Sequence, residues 1–257
     1  MNHEIAFLGA GKMAEGILCT IKNKRRVIMA EKCKERSALI SKAYKVKVVS
    51  SAAEAAADAK YVFLAVRPQD VEALSAEVKA VLKKGQVLVS IVAGKSVARL
   101  RKLFGSKVKI IRVMPNLALR AKAGMCALTA HDETVESILG AAGETIVLNE
   151  KYFDVVTALS GSGPAYFAFM QYAMAKGAME LGLPEKAALF LSKQTMYGTA
   201  KFLKENDGIE LEKFIAGVCT KGGTTAAGMK FLDVPQFVKS VARTLCAAAE
   251  RSKELNA

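Results

Sequence analysis

Residues 5–17 read IAFLGAGKMAEGI, and this stretch decides the fold of the first half of the chain. A strand-like apolar run at Glu4–Leu8 leads into a glycine turn, and a helical pattern follows from about Lys12 to Lys22. The turn has the G-x-G-x-x-A form of a dinucleotide-binding fingerprint, in which the first glycine permits a tight bend and the second lets the backbone approach a pyrophosphate. The alternative is a plain glycine turn. We predict cofactor contacts here at Gly9, Gly11, Lys12, Met13 and Ala14, the last of which keeps the helix close to the sheet.

The end of the second predicted strand, Val27–Ala30, bears on the choice of cofactor. Glu31 follows it, and a carboxylate at this place accepts hydrogen bonds from the ribose hydroxyls of NAD. Lys32 and Lys34 lie beside it and are able to pair with the 2′-phosphate of NADP, or are simply exposed to solvent. The sequence therefore predicts reduced NADP or NAD as cofactor, with the preference undecided.

Short strand-like runs alternate with helical patterns through the first 150 residues. Tyr61–Val66 and Val87–Val92 are nearly continuous apolar runs, as in strands covered on both faces. The alternation predicts the α/β class, with an N-terminal Rossmann-like, doubly wound and mostly parallel sheet. Ligands bind such sheets at the carboxyl ends of the strands, although a turn without a ligand is an equal alternative at each strand end. The further cofactor contacts that we predict on this basis are Val66, Arg67, Pro68, Ala93, Gly94 and Asn116.

The pattern changes after about Lys151, where strand signals stop and long helical patterns take over. We therefore predict two domains, a dinucleotide-binding domain at 1–150 and an all-helical domain at 151–257. Predicted helices in the second domain cover Pro164–Leu181, Pro184–Glu205, Leu211–Val218, Thr224–Phe231 and Pro235–Glu254.

Two glycine-rich elements precede helices in the second half. Residues 160–166 read SGSGPAY, and residues 219–225 read CTKGGTT. Either one alone is explained by helix capping, since Ser at a cap and Pro in the first turn are favourable. The second element also presents backbone N–H groups and two hydroxyls, which suits a carboxylate.

The composition argues against several classes of protein. The 38 basic and 24 acidic residues give a net charge of +14, but the basic residues are spread along the chain without interleaved aromatics, so we favour a solvated basic surface over a nucleic-acid site. Five scattered cysteines, which we expect to be buried or half-buried, and two histidines predict no metal site and a reducing, cytoplasmic location. No apolar run approaches the roughly 18 residues of a membrane span, and no signal peptide is expected.

With these motifs together, the sequence resembles the pyrroline-5-carboxylate reductase family over nearly its full length. The stretches that carry the resemblance are IAFLGAGKMAEGI, FLAVRPQ at 63–69, IRVMPN at 111–116, ALSGSGPAYF at 158–167 and VCTKGGTTAAGM at 218–229. The chain departs from the family pattern at Lys221, where proline is usual, and at Arg67, where lysine is usual. Glu31 departs from the family's polar or Asn-Arg ending, which leaves its usual NADPH preference open here.

The resemblance implies reduction of 1-pyrroline-5-carboxylate to L-proline, the last step of proline biosynthesis, by hydride transfer to the cyclic imine. Such a reaction needs positioning and carboxylate capture more than acid–base groups, which agrees with a chain poor in histidine. It also implies helical domains that intertwine into a homodimer or a higher oligomer. An apolar helix face with Phe167, Phe169, Met170, Met174 and Met179 fits this, although ordinary core is the alternative.

The resemblance also assigns roles around the substrate. We expect the N–H groups of Gly223–Thr225 and the Thr225 hydroxyl to hold the substrate carboxylate, with Thr220 assisting. We expect hydroxyl groups to line the site on the nicotinamide side. If a proton donor is needed, we expect it to be either a hydroxyl group acting with water or the carboxyl group of Asp207. The full predicted set is Thr225, Thr220, Ser162 and Thr157 as catalytic residues, and Gly222, Gly223, Thr224, Thr225 and Ser160 as substrate-binding residues.

Three rival functions are weighed against this one. A β-hydroxyacid dehydrogenase carries a catalytic lysine about one turn into the helix after its glycine motif, whereas Phe167–Ala175 contains no lysine and the first is Lys176. Another imine or ketimine reductase differs only in pocket shape. The third rival is a non-catalytic protein that senses NAD(P) or binds partners through its basic surface.

Overall fold

The computed structural model describes residues 3–232 and 234–256. The chain forms two compact units, one made of the residues up to Ser162 together with those from Cys246 onward, and the other of Gly163–Leu245. The boundary that we predicted between residues 150 and 151 divides the chain by the expected function of each part, and it stays a prediction.

An eight-stranded sheet organises the first unit within the described residues, in the order β3-β2-β1-β4-β5-β6-β7-β8. Neighbouring strands are parallel except β6 and β7, which are antiparallel. The strands are β1 (Ile5–Leu8), β2 (Val27–Ala30), β3 (Lys47–Val49), β4 (Tyr61–Leu64), β5 (Val87–Ser90), β6 (Lys109–Pro115), β7 (Gly124–Leu128) and β8 (Gly143–Val147). The strand order reverses between β1 and β4, and a crevice at such a point is where open sheets bind ligands. The predicted fold class is confirmed.

Both faces of this sheet are covered, which explains its continuous apolar strands. Phe7 and Phe63, on adjacent strands, stack at 4.8 Å between ring centroids in one core layer. Leu8 and Leu64 point into the layer on the other face. Because successive side chains alternate between faces, every residue of β1 and β4 is buried.

Short helices connect the strands of the first unit. They are α1 (Lys12–Thr20), α2 (Lys34–Tyr44), α3 (Ala52–Ala56), α4 (Val71–Val78), α5 (Val97–Phe104), α6 (Glu133–Gly140) and α7 (Phe153–Val156). The alanine-rich run at 52–59 and the helical pattern from Pro68 to Leu82 predict longer helices than α3 and α4, which end at Ala56 and Val78. Buried Gln86 bonds to the end of α3, because its amide nitrogen donates to the carbonyls of Ala56 and Ala59 at 2.8 and 2.5 Å. Its amide oxygen accepts the Lys83 N–H at 2.6 Å.

A π-helical turn follows α7 at Thr157–Gly161, with the Ser162 N–H donating to the Thr157 carbonyl at 2.9 Å. No pattern in the sequence predicts this turn, which carries two of the predicted site residues. Such turns occur frequently at functional sites.

The second unit is helical. Its elements are α8 (Gly163–Glu180), α9 (Glu185–Glu205), α10 (Leu211–Val218), α11 (Thr224–Met229) and the first part of α12 (Val234–Asn256). In the described part of this unit only Gly163, Ala175 and Ala188 are buried. Large apolar side chains are exposed instead, among them Phe167 at 68% and Phe169 at 69%.

The cysteines correct one expectation. Cys126 is buried, and burial raises the pKa of its thiol to about 12, which keeps it protonated. Cys33 and Cys246 are exposed, contrary to the buried or half-buried positions that we expected. In the described part of the chain no helix is long and apolar enough to span a membrane.

Candidate active site

The glycine turn after β1 has the geometry of a phosphate cradle. Gly9 has φ +103°, and a Cβ there would lie 2.6 Å from the Ala65 carbonyl oxygen, so only glycine fits. Gly11 has an ordinary φ of −66°, and a Cβ there would meet nothing within 4 Å. The protein itself therefore does not exclude a side chain at Gly11, and the open space beside it is available to a ligand.

Glu31 reaches from the end of β2 into this turn. One of its carboxylate oxygens accepts the Ala10 N–H at 3.1 Å, and the other accepts the Cys33 N–H at 2.9 Å. The carboxylate is thus fixed beside the glycine turn. Lys32 next to it is exposed, with its ammonium 3.9 Å from a Glu77 oxygen.

A second network fixes the same turn from α2. The Arg36 guanidinium donates to the Ala10 carbonyl and to Glu15, both at 2.7 Å. The Tyr44 hydroxyl donates to Glu15 at 2.9 Å. The hydrogen bond from Arg36, supported by that from Tyr44, outweighs burial and holds the pKa of Glu15 below its usual range.

A cleft of about 460 Å³ lies at the carboxyl ends of β1, β2 and β4. It is lined by six of the predicted cofactor residues, namely Gly9, Gly11, Glu31, Lys32, Val66 and Arg67. The Arg67 guanidinium is 76% exposed and pairs with Asp70 at 2.9 Å. A bend that only glycine fits, an open backbone and nearby cations suit a dinucleotide, so the residues present fit the predicted cofactor.

The other predicted cofactor residues lie outside the lining of this cleft. Ala14 is fully buried, where it packs α1 onto the sheet. Pro68 begins a short 3₁₀ turn after β4, and Lys12 and Met13 begin α1. Gly94, after β5, has φ +68°, and a Cβ there would lie 2.8 Å from the Leu255 Cβ, so the loop Ala93–Gly94 packs against the end of α12.

Asn116, after β6, connects two predicted site segments. Its carbonyl oxygen accepts the N–H groups of Ala118 and Met125, both at 3.2 Å. Its amide nitrogen lies 3.4 Å from the Ser160 hydroxyl in the π-helical turn. The Thr157 hydroxyl in the same turn donates to the Phe153 carbonyl at 2.7 Å. The structure thus brings Asn116 and Ser160 together, which the sequence did not predict.

The predicted carboxylate site forms a tight turn in the second unit. Gly222 has φ +78°, and the Gly223 N–H donates to the Thr220 carbonyl at 2.9 Å. That N–H is thus engaged within the turn, and the expected role of Gly223 in substrate binding stays a prediction. The N–H groups of Thr224 and Thr225 lie in the first turn of α11, where N–H groups have no acceptor within the helix.

The remaining candidates add no metal or acid–base cluster. No group of three or more His, Cys, Asp or Glu residues that could hold a metal occurs among residues 3–232 and 234–256. Asp207 lies exposed in the connection between α9 and α10.

Family models match both parts of the chain. Residues 150–255 match pyrroline-5-carboxylate reductase dimerisation, so the chain carries a dimerisation domain that implies a homo-oligomer. Residues 4–94 match NADP oxidoreductase coenzyme F420-dependent, so it also carries an NADP-binding domain.

Full-length relatives agree with these matches. The pyrroline-5-carboxylate reductase of Haemophilus influenzae is 35% identical, with 99% of this chain and 98% of that protein covered. The solved structure of the pyrroline-5-carboxylate reductase from Coxiella burnetii has a TM-score of 0.93 at 27% identity, with both chains covered completely. The Plasmodium falciparum pyrroline carboxylate reductase, solved with NADP bound, has a TM-score of 0.86 at 26% identity, covering 100% of this chain and 99% of that one.

Proposed function

The chain belongs to the pyrroline-5-carboxylate reductase family, and we propose how its residues carry out the reaction of that family. It is an NAD(P)H-dependent oxidoreductase that reduces 1-pyrroline-5-carboxylate to L-proline. The bound reduced nicotinamide supplies a hydride to the imine carbon, and a proton completes the amine. The residues of this chain have to hold both molecules in line and exclude water, which is where most of the rate enhancement of such a reaction arises.

The observation that carries the cofactor assignment is the glycine turn at the mouth of the 460 Å³ cleft. In our proposal Gly9 and Gly11 hold the pyrophosphate with the start of α1, formed by Lys12 and Met13. Arg67 lies near enough to the cleft to neutralise phosphate charge. Ala93, Gly94 and Asn116, at the neighbouring strand ends, are proposed to face the nicotinamide half.

The choice between reduced NADP and NAD stays open in this proposal. Glu31 is fixed beside the glycine turn and is proposed to bind a ribose diol, whereas Lys32 and Lys34 are proposed to offer positive charge to a 2′-phosphate. Turnover with NADH and NADPH measured side by side decides between them.

The substrate carboxylate is proposed to bind at the turn before α11. The N–H groups of Thr224 and Thr225 and the Thr225 hydroxyl supply the donors, Thr220 assists, and Gly222 and Gly223 shape the turn. Ser160, Ser162 and Thr157 are proposed to line the nicotinamide side. We propose that the proton comes from a hydroxyl with water or from Asp207.

Thr225→Ala tests the carboxylate assignment. We expect the KM for 1-pyrroline-5-carboxylate to rise about tenfold or more, because a charge-assisted hydrogen bond contributes roughly 1.5–3 kcal/mol. Thr225→Ser should restore most of the affinity. Thr244→Ala is the matched control, since the Thr244 hydroxyl only donates to the Ser240 carbonyl of its own helix. An unchanged KM in Thr225→Ala rejects the assignment.

We further propose a cytoplasmic homodimer or higher homo-oligomer whose only ligands are small molecules. The exposed apolar faces of the second unit support assembly. The basic charge is proposed to attract anionic ligands, without a membrane or nucleic-acid partner. Steady NAD(P)H oxidation without nucleic-acid binding at moderate salt would agree with this, and binding of DNA or RNA would contradict it.

A further inference from the structure

Strand β6 carries a buried charge that the proposed reaction does not use. The Arg112 side chain is 3% exposed, its guanidinium lies 5.0 Å from the Phe153 ring centroid, and it donates to Glu150 at 3.2 Å. Its other terminal nitrogen is buried and has no hydrogen-bond partner. Burying an incompletely paired guanidinium costs stability relative to an apolar side chain, so its role is to be sought in what it holds in place.

Glu150 joins three elements through a single oxygen atom. The oxygen that accepts from Arg112 also accepts the Val97 N–H, at 2.8 Å. Val97 is the first residue of α5, which Ser96 caps by accepting the Arg99 N–H at 3.2 Å. The carboxylate therefore ties the loop between β5 and α5 to strand β6 and to the segment that leads into α7.

The same face of β6 contacts this segment further along. Arg112, Met114 and Asn116 are two residues apart, so their side chains project to one side of the strand. A Cβ on Gly161 would lie 2.5 Å from the Met114 methyl, and the Asn116 amide lies 3.4 Å from the Ser160 hydroxyl. Side chains on β6 and directly after it thus contact both ends of the stretch from Glu150 to Gly161.

We propose that Arg112 and Glu150 are positioning residues for the reduction. They hold the loop Ala93–Ser96 and the π-helical turn at the carboxyl ends of β5 and β6, next to the strand whose end lines the cofactor cleft. This inference rests on the proposed function, because Ala93, Gly94 and Asn116 at those strand ends are proposed there to face the nicotinamide half of the cofactor. The ADP-ribose part of the cofactor, whose pyrophosphate is held at Gly9–Gly11, does not depend on the pair.

The test separates the two halves of the cofactor with ADP-ribose, which lacks nicotinamide. In Glu150→Ala we expect kcat for imine reduction to fall at least tenfold and the affinity for NAD(P)H to weaken, while the affinity for ADP-ribose stays within twofold of the wild type. Glu150→Gln keeps an oxygen acceptor and should recover part of the loss.

A second variant removes the backbone donor and leaves both charged side chains in place. Val97→Pro leaves the Arg112–Glu150 pair but deletes the N–H that Glu150 accepts. Proline suits the first turn of a helix, and Ser96 already has the extended backbone, ψ 157°, that precedes proline. It should reproduce the loss in kcat at unchanged ADP-ribose affinity, and it remains informative if Glu150→Ala does not fold.

The matched control is Glu4→Ala, which breaks another Arg–Glu pair of the same unit, with Arg26, at the amino ends of β1 and β2. It should leave kcat unchanged. Equal losses of ADP-ribose and NAD(P)H affinity, or full activity in both Glu150→Gln and Val97→Pro, would overturn the positioning role. A wild-type protein that binds both probes but does not reduce 1-pyrroline-5-carboxylate would instead refute the proposed function, and the ratio of the two affinities in the variants would still test the inference.

Discussion

The two units of the molecule bury their large apolar residues to different extents. In the first unit, Phe7, Phe63, Phe104 and Phe153 are each at most 2% exposed. In the second unit, Phe167, Phe169, Phe190 and Phe231 are 68%, 69%, 63% and 92% exposed. Both units thus contain large apolar side chains, and the units differ in how far the fold covers them.

The difference shows how much of its apolar surface each architecture can cover without a partner. A sheet with helices on both faces encloses two core layers, whereas the helices of the second unit leave wide apolar faces uncovered. Exposed apolar area of this kind is typical of a surface that another protein chain covers. Together with the dimerisation domain at residues 150–255, it indicates a unit that is completed by a second copy of the chain.

Phe169→Glu, in the second unit, should have the largest effect of these substitutions. A charge in the apolar face of α8 is costly to bury in an assembly but costs little in a separate chain, where this residue is 69% exposed. We expect loss of the homo-oligomer and of nearly all activity, measured by sedimentation equilibrium and by turnover. Leu39→Glu is the matched control, because Leu39 in the first unit is 51% exposed and should tolerate the charge. An intact oligomer in Phe169→Glu would show that α8 does not form part of the interface.

Phe63→Ala tests the first unit, in which the large apolar residues are buried. Its ring stacks on Phe7 in the interior of the sheet core, and truncating such a residue costs about 3–5 kcal/mol of folding free energy. We expect the destabilisation of the first unit, measured by hydrogen exchange of its strands, to be the same at every protein concentration. Phe190→Ala should instead change stability in a concentration-dependent manner. A concentration-dependent effect of Phe63→Ala would mean that the first unit also relies on a partner.

The local signals in the sequence predicted the fold class because they agree with one another. Gly9 and Gly11 follow an apolar strand and precede a helix that begins at Lys12, as predicted and as observed. The α/β class and the helical C-terminal region followed from this pattern and from the end of the strand signals near Lys151.

Such local signals do not predict contacts between residues that are far apart in the sequence. The hydrogen bond from the Ala10 N–H to Glu31 spans 21 residues, and the pair of Arg112 with Glu150 spans 38. No periodic pattern marks a π-helical turn or a buried side chain such as Gln86, which bonds to the carbonyls of Ala56 and Ala59 at the end of α3. The sequence therefore supports a prediction of which segments carry the site, while the contacts that hold those segments in place are visible only in the fold.

Gly9→Ala should damage the proposed cofactor site in the first unit and leave the second unit unaffected. A left-handed backbone and a contact of 2.6 Å to the Ala65 oxygen make alanine strained there, at a cost of about 1–3 kcal/mol. We expect a lower Tm and weaker ADP-ribose binding with the oligomer intact. Gly11→Ala should weaken cofactor binding without lowering the Tm, because its Cβ would meet no protein atom within 4 Å. A similar drop in Tm for both variants would contradict this division of roles.

Glu15→Gln should give the smallest effect, confined to the first unit and to its dependence on pH. The lowered pKa of Glu15 means that the unfolded chain binds the proton more readily, so this carboxylate stabilises the fold above its unfolded pKa of about 4.3, and the stabilisation is lost as the pH falls through the lower folded pKa. Glutamine keeps the size of the side chain but offers only one oxygen to the Arg36 and Tyr44 donors. We expect a loss of about 1 kcal/mol or less at pH 7, seen as a small drop in the Tm, and a smaller difference from the wild type near pH 3.5. A difference that grows on acidification would mean that Glu15 is protonated more easily in the folded chain than in the unfolded one, contrary to its contacts with Arg36 and Tyr44.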